Sequence, residues 1–179
     1  MIVTVTFDAL INKLYLIDEF NPDELNRVRE CRCTVGGKGI NVSKAAKILG
    51  ESITATGFLG GCLGELIKDN IYNMGIADAF IQVKGETAAL LTIKNKLSGK
   101  HIEFIEPGFS VTKNDIQKFT DRYMELLNAC EAVTISGGLP NGAEDSLYPK
   151  LIKTARDMNK KVIIDAPPKL LSEALDALP

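Results

Sequence analysis

Three apolar runs constrain this chain most: ITATGF (53–58), AVTISG (132–137) and KVIID (161–165), each short and each reaching Gly, Ser or Asp at or near its end. Such runs, without polar alternation, are the pattern of parallel strands buried on both faces, which need helices above and below. Helical stripes lie between them. Val42, Ala45, Ala46 and Leu49 recur at helical spacing before Gly50, and Leu63, Leu66, Ile67, Ile71 and Met74 before Gly75. Glycine suits the left-handed turn that follows a helix. Thr112 with Asp115 forms a helix-start signal ahead of Ile116, Phe119, Tyr123, Leu126 and Leu127. A fourth stripe carries Leu147, Leu151, Ala155 and Met158. With MIVTVTF as a first strand, the expected class is α/β, a doubly wound and mostly parallel sheet.

Two regions break the alternation. KLYLIDEF with VRECRCTV, and later AFIQVKG, ALLTIKNK and HIEFIE, are successive strand-like segments with no helical stripe between them, joined by turn signals such as LSGK. They predict a small inserted sheet, either a lid over a pocket or a dimerisation surface. No repeat or low-complexity linker marks a second domain, so the reading is one α/β domain over 1–179, with lid strands from about 12–35 and 80–105.

Composition removes several function classes. The formal net charge of −2 gives no general attraction to nucleic acid or anionic lipid. MIVTVTFDAL lacks the basic and apolar regions of a signal peptide, and no apolar run approaches the length of a membrane span, so the expected location is cytoplasmic with no membrane partner. Cys31, Cys33, Cys62 and Cys130 show no CxxC spacing, and His101 is the single imidazole. No metal site is expected from these residues.

Ligands of open α/β sheets collect at the carboxyl ends of the strands. Three such ends are glycine-rich or acidic: GFLGGCLG (57–64), SGGLPNG (136–142) and DAPP (165–168). Glycines there let backbone N–H groups approach an anion, although each also suits a tight strand-to-helix turn. TVGGKGIN (34–41) is sharper. It is not a Walker loop, because Lys38 is followed by Gly39 and Ile40 instead of Ser or Thr. It offers open glycines, an ammonium at Lys38, and the donor and acceptor amide of Asn41 one turn into a helix, a mixture suited to a sugar bearing hydroxyls and a phosphate. The competing reading is a flexible turn with a solvated lysine.

GGKGIN, GFLGGCLG, GETAALLTI, EPGF and SGGLPNG, in this order, resemble the ribokinase-like (PfkB) carbohydrate kinases, nearest the 1-phosphofructokinase and tagatose-6-phosphate kinase branch, from Met1 to about Leu178. The resemblance implies a ribokinase-like sheet with a β lid that also mediates homodimerisation. It implies transfer of the ATP γ-phosphate, with Mg2+, to a hydroxyl of a phosphorylated ketohexose. Carried over by position, Asn12, Gly36, Gly37, Lys38, Asn41, Ser136, Gly137 and Gly138 would bind the sugar, and Asp165 would lie near the phosphates.

The chain also departs from that pattern. Where the family has Asn-Pro and then Asp, it reads Asp8, Ala9 and then Asn12; where the branch supplies Arg and Asn after Gly-Glu-Thr, it has Ala88 and Leu90; and Asp165 is followed by Ala-Pro-Pro. Loss of a charge-assisted phosphate contact removes about 1.5–3 kcal/mol, leaving Lys38 to hold the phosphate almost alone. The resemblance places the family's Asn-x-x-Glu motif near magnesium, its nucleotide pocket and its Gly-Ala-Gly-Asp anion hole with the catalytic base in a further stretch of more than a hundred residues, beyond those this chain matches. The expectation is therefore no catalytic residue in this chain, and no ATP turnover by it alone. The second reading is a catalytically inactive sugar-phosphate-binding or interaction protein. A dinucleotide-binding protein is a weaker third, since no GxGxxG follows the first strand. A sheet stopping after KVIID would leave an edge that needs cover.

Overall fold

The computed structural model describes residues 1–176. In chain order its elements are β1 (Ile2–Thr6), β2 (Leu10–Ile17), β3 (Glu30–Gly36), α1 (Lys38–Ile48), β4 (Ile53–Gly60), α2 (Gly61–Asn73), β5 (Ala77–Asp78), β6 (Ile81–Val83), β7 (Ala89–Asn95), β8 (His101–Ile105), α3 (Lys113–Ala129), β9 (Ala132–Ser136), α4 (Leu147–Asp157), β10 (Lys161–Asp165) and α5 (Pro168–Asp176). The main sheet runs β10-β9-β1-β4-β5, with β6 also paired to β4, and every pairing in it is parallel. A second, mixed sheet runs β3-β2-β7-β8. The α/β class and its mostly parallel sheet are as the sequence predicts.

The strands are straightforward consequences of their residues. β4 is buried along its whole length, and Val3 and Val5 of β1 are fully covered. One core cluster joins β1 and β9 to α3, α4 and α5 through Phe7, Phe58, Phe119, Tyr123 and Tyr148. A smaller cluster joins β2 and β4 to α1 and α2 through Ile11, Ile40, Leu59, Ile67 and Ile71. Helix α3 follows its sequence signal closely: Thr112 and Asp115 form a reciprocal capping box, and Phe119, Tyr123, Leu126 and Leu127 are buried.

Two expectations are corrected. AFIQVKG does not belong to the second sheet. Its strand β6 pairs with β4, and the Thr56 hydroxyl fixes the approach by donating to the Ala79 carbonyl at 2.8 Å. The buried face of α1 is only partly the predicted one: Val42 is half-buried and Ala46 packs on the smaller cluster, but Leu49 just beyond the helix is 82% exposed and Ala45 is exposed, while Gly39, Ile40 and Ser43 face inward. The helix lies so close to β1 that a Cβ at Gly39 would collide with Thr6, and the Ser43 and Thr4 hydroxyls meet at 2.6 Å. Close approach of small residues, rather than the apolar stripe, orients this helix.

Candidate functional site

The carboxyl ends of β1, β9 and β10 meet the start of α1 at one rim. Asp8 follows β1, and its Oδ1 accepts the Lys38 backbone N–H at 3.2 Å. Lys38 is the first residue of α1, and its Nζ reaches Oδ1 of Asp165, the last residue of β10, at 3.1 Å. Gly137 donates its N–H to the Asp165 carbonyl at 2.9 Å. It has φ +96°, and a Cβ there would collide with the Asp8 carboxylate, so this turn needs glycine for its backbone and for the space beside it. The Tyr148 hydroxyl, buried beneath the turn, donates to the Gly137 carbonyl.

Electrostatics tie the group together. Burial pushes the Asp8 carboxyl above its ordinary value and Asp165 adds to that, while the Lys38 N–H and ammonium oppose it. Burial likewise pushes the Tyr148 phenol up, helped by Asp8 and Asp165. The phenol therefore remains a donor throughout the physiological range.

Beside the rim a cleft of about 230 Å³ opens between the Phe7–Leu10 segment, Ala88, the 105–109 connection and the 138–141 loop. Ala88 lies in its wall, as do Asp8, Glu106, Gly138 and Asn141. Asn141 is held by donating its Nδ2 to the Pro107 carbonyl at 3.1 Å, and its own carbonyl accepts from Val111 N–H at 2.8 Å.

The sequence-derived site residues are distributed as follows. Lys38, Gly137 and Asp165 converge at the rim with Asp8, and Gly138 lines the cleft. Gly37 caps α1 with φ +108°, packed on the backbone of Asp8 and Ala9. Gly36 ends β3 under the Asn12 side chain, and Asn12 sits in register between Thr34 of β3 and Leu90 of β7. Asn41 is exposed one turn into α1. Ser136 is 2% exposed, so it closes the bottom of the rim and does not open onto the cleft.

The third glycine loop, GFLGGCLG, behaves differently from its sequence reading. Glu86 occupies the α2 N-terminus, accepting the N–H groups of Cys62 at 3.1 Å and Leu63 at 2.8 Å, while the Thr87 hydroxyl both accepts from Gly60 N–H and donates to its carbonyl at 2.9 Å. The donors that could have met an outside anion are satisfied by the chain's own carboxylate. Sequence reasoning noted Asp8 only as a departure and missed Glu86 and Tyr148. Asp8 carried a usable signal, a carboxylate just after the first strand; Glu86 and Tyr148 act over 24 and 11 residues of separation and leave no local signature.

The description "pfkB family carbohydrate kinase" matches residues 1–179. A tagatose-6-phosphate kinase of Staphylococcus epidermidis is 33% identical over 175 residues, covering 98% of this chain and 56% of that protein. A structure described as a possible 1-phosphofructokinase from Thermotoga maritima superposes with a TM-score of 0.89 at 30% identity, over 98% of this chain and 57% of that one. The tetrameric inhibited form of phosphofructokinase-2 from Escherichia coli gives 0.85 at 26% identity, over 98% and 57%. The chain thus spans little more than half the length of the relatives it matches.

Proposed function

Because the chain belongs to the pfkB family of carbohydrate kinases, we propose that it supplies the sugar-binding and lid half of a kinase that phosphorylates a hydroxyl of a phosphorylated ketohexose. The observation that carries this reading is Lys38: its ammonium lies at a rim built from strand ends far apart in sequence, 3.1 Å from Asp165 and beside a cleft of about 230 Å³. The relatives, a tagatose-6-phosphate kinase and a possible 1-phosphofructokinase, support the acceptor class. In this reading Lys38 exchanges part of its pairing with Asp165 for the phosphate of the sugar. Asn12, Gly36, Gly37, Asn41, Gly137 and Gly138 shape the surrounding pocket, and Ser136 supports it from below.

ATP is the donor in this proposal, with Mg2+ neutralising its phosphates. Among the described residues no group of three or more His, Cys, Asp and Glu side chains converges, and both rim carboxylates are engaged with Lys38. These residues form no all-protein metal cage, so Mg2+ in this proposal would be held mainly by the phosphates of the nucleotide, with one or two carboxylates at most. Phosphoryl transfer is completed by groups the 179 residues do not contain, so a coupled assay of this chain is expected to show no ATP turnover. Among the described residues no helix is long and apolar enough to cross a membrane; a cytoplasmic location is part of the proposal.

The second sheet is the lid and the homodimer contact in this proposal. Leu10, Asn12, Leu14 and Leu16 of β2, Leu90 of β7 and Ile105 of β8 share one of its faces by register, and Ile105 is 70% exposed. Calorimetric titration with fructose 1-phosphate, tagatose 6-phosphate and ATP tests the function. Binding of a phosphosugar that drops at least tenfold in Lys38→Ala is the expected result. Silence toward every phosphosugar would instead favour the inactive interaction protein, the reading to which Ala88 and Leu90 also point.

A further inference from the structure

The peptide unit joining Gly137 to Gly138 has a glycine on each side, so no β-carbon fixes its plane. Left to itself, such a unit flips readily and exchanges the directions of its carbonyl and its N–H. Here one hydroxyl holds it. Tyr148 is fully buried, and its phenol donates to the Gly137 carbonyl from below. A trans peptide points its carbonyl and its N–H in opposite directions, and no peptide bond among the described residues is cis. The Gly138 N–H is thereby turned away from the core, and Gly138 itself lines the cleft. Among the described residues nothing accepts that N–H. A Cβ at Gly138 would have only Pro167 within reach, 4.0 Å away, so the donor stands beside open space.

Tyr148 also braces the neighbouring segment. Its ring meets Phe7 edge-on, with centroids 6.1 Å apart, and Phe7 leads directly into Asp8. One side chain on α4 thus holds two of the backbone segments that wall the cleft, the one after β1 and the one after β9. We infer that Tyr148 is a positioning residue of the sugar site, holding the Gly138 N–H toward the cleft as a fixed donor to an oxygen of the bound phosphosugar. This assignment rests on the sugar-binding reading above and adds to it a residue that never touches the ligand. A donor already aimed is engaged at less cost than one that must first be turned, because the glycine pair loses less conformational freedom on binding. In the flipped arrangement a carbonyl would face the cleft instead, and it could only accept.

The test is a magnetic-resonance titration of the 179-residue chain, isotopically labelled at glycine nitrogen, with fructose 1-phosphate and tagatose 6-phosphate. In the unaltered chain the Gly138 amide signal is expected to move on binding. Tyr148→Phe keeps the ring and removes the hydroxyl. It should bind about fivefold more weakly, with a smaller shift at Gly138, at temperatures where circular dichroism shows both chains folded. Gly138 is not among the positive-φ glycines, and flipping its peptide would make its φ positive, which alanine resists. Gly138→Ala is therefore expected to restore affinity, or to cost less of it, when residue 148 is already Phe. Equal affinity of the unaltered chain and a folded Tyr148→Phe would overturn the inference and leave the sugar-binding reading standing. So would an equal effect of Gly138→Ala in both backgrounds, which would reduce Tyr148 to a structural contact. A Gly138 amide that stays still while the unaltered chain binds sugar would overturn it without any variant, so a folding defect cannot rescue the idea. Silence of the unaltered chain toward both phosphosugars would overturn both.

Discussion

Asp8 accepts a backbone N–H, faces a turn that only glycine can make, and is half-buried beside Asp165, with Lys38 as the compensating charge. Its folded pKa lies above the ordinary 3.8, mainly through burial, so the folded state binds the proton more tightly than the unfolded chain does. The sign follows from linkage: ionised Asp8 opposes folding at neutral pH, and the penalty is relieved as pH falls through the raised folded value toward 3.8. Asp8→Asn is therefore expected to raise stability in urea unfolding at pH 7, with the gain shrinking as pH approaches 3.8. A variant less stable than the parent at pH 7 would contradict this account. Asp115 has the opposite sign. The Thr112 hydroxyl and N–H hold its pKa down, so its contribution is present above 3.8 and is lost as pH falls through the lowered folded value.

At the scale of elements, α2 and α3 show two ways of satisfying a helix N-terminus. α3 carries its own box, Thr112 with Asp115, and the sequence announces it. α2 has no side-chain bond from its N-cap residue, Gly60, and borrows the Glu86 carboxylate from the segment after β6. Removing that carboxylate leaves the Cys62 and Leu63 N–H groups without their acceptor. Glu86→Ala is accordingly expected to cost about 1–2 kcal/mol in denaturant unfolding, comparable with about 1 kcal/mol for Thr112→Ala. If Glu86→Ala were neutral, water would be replacing the carboxylate without loss and the cap would be incidental. The same borrowing explains why GFLGGCLG misled the sequence reading, since a loop that looks ready for an anion is already serving one from its own chain.

At the scale of the whole molecule, two surfaces bear on assembly. One is the Leu10, Leu14, Leu16, Leu90 and Ile105 face of the second sheet, where the proposed homodimer forms. Light scattering after size exclusion is expected to report a dimer at micromolar concentration, and Leu14→Lys a monomer, because a charge at a packed sheet face has no partner. A dimer that survives the substitution would move the interface elsewhere. The other surface is β10, an edge strand among the described residues, with Ile163 62% exposed on the α1 side of the sheet. The edge is the cover problem that the strand pattern predicts.

The parallel strands, the α3 stripe and its box, and the glycine turns were legible in the sequence because period, capping and positive φ are properties of adjacent residues. Lys38, Gly137 and Asp165 were singled out from their motifs and expected at one shared rim, because the carboxyl ends of parallel strands gather at one edge. Four features were decided only in three dimensions: the inward face of α1, the placement of β6 beside β4, the Glu86 cap, and the contact of Asp8 with Lys38 and Gly137. In each, close approach or hydrogen bonding between distant segments outweighs the local pattern. Gly39 draws α1 onto β1, and Lys38 meets Asp165 across 127 residues because parallel strands bring their carboxyl ends to one edge. Local physics fixed which elements form; the register in which they pack set which charges face one another.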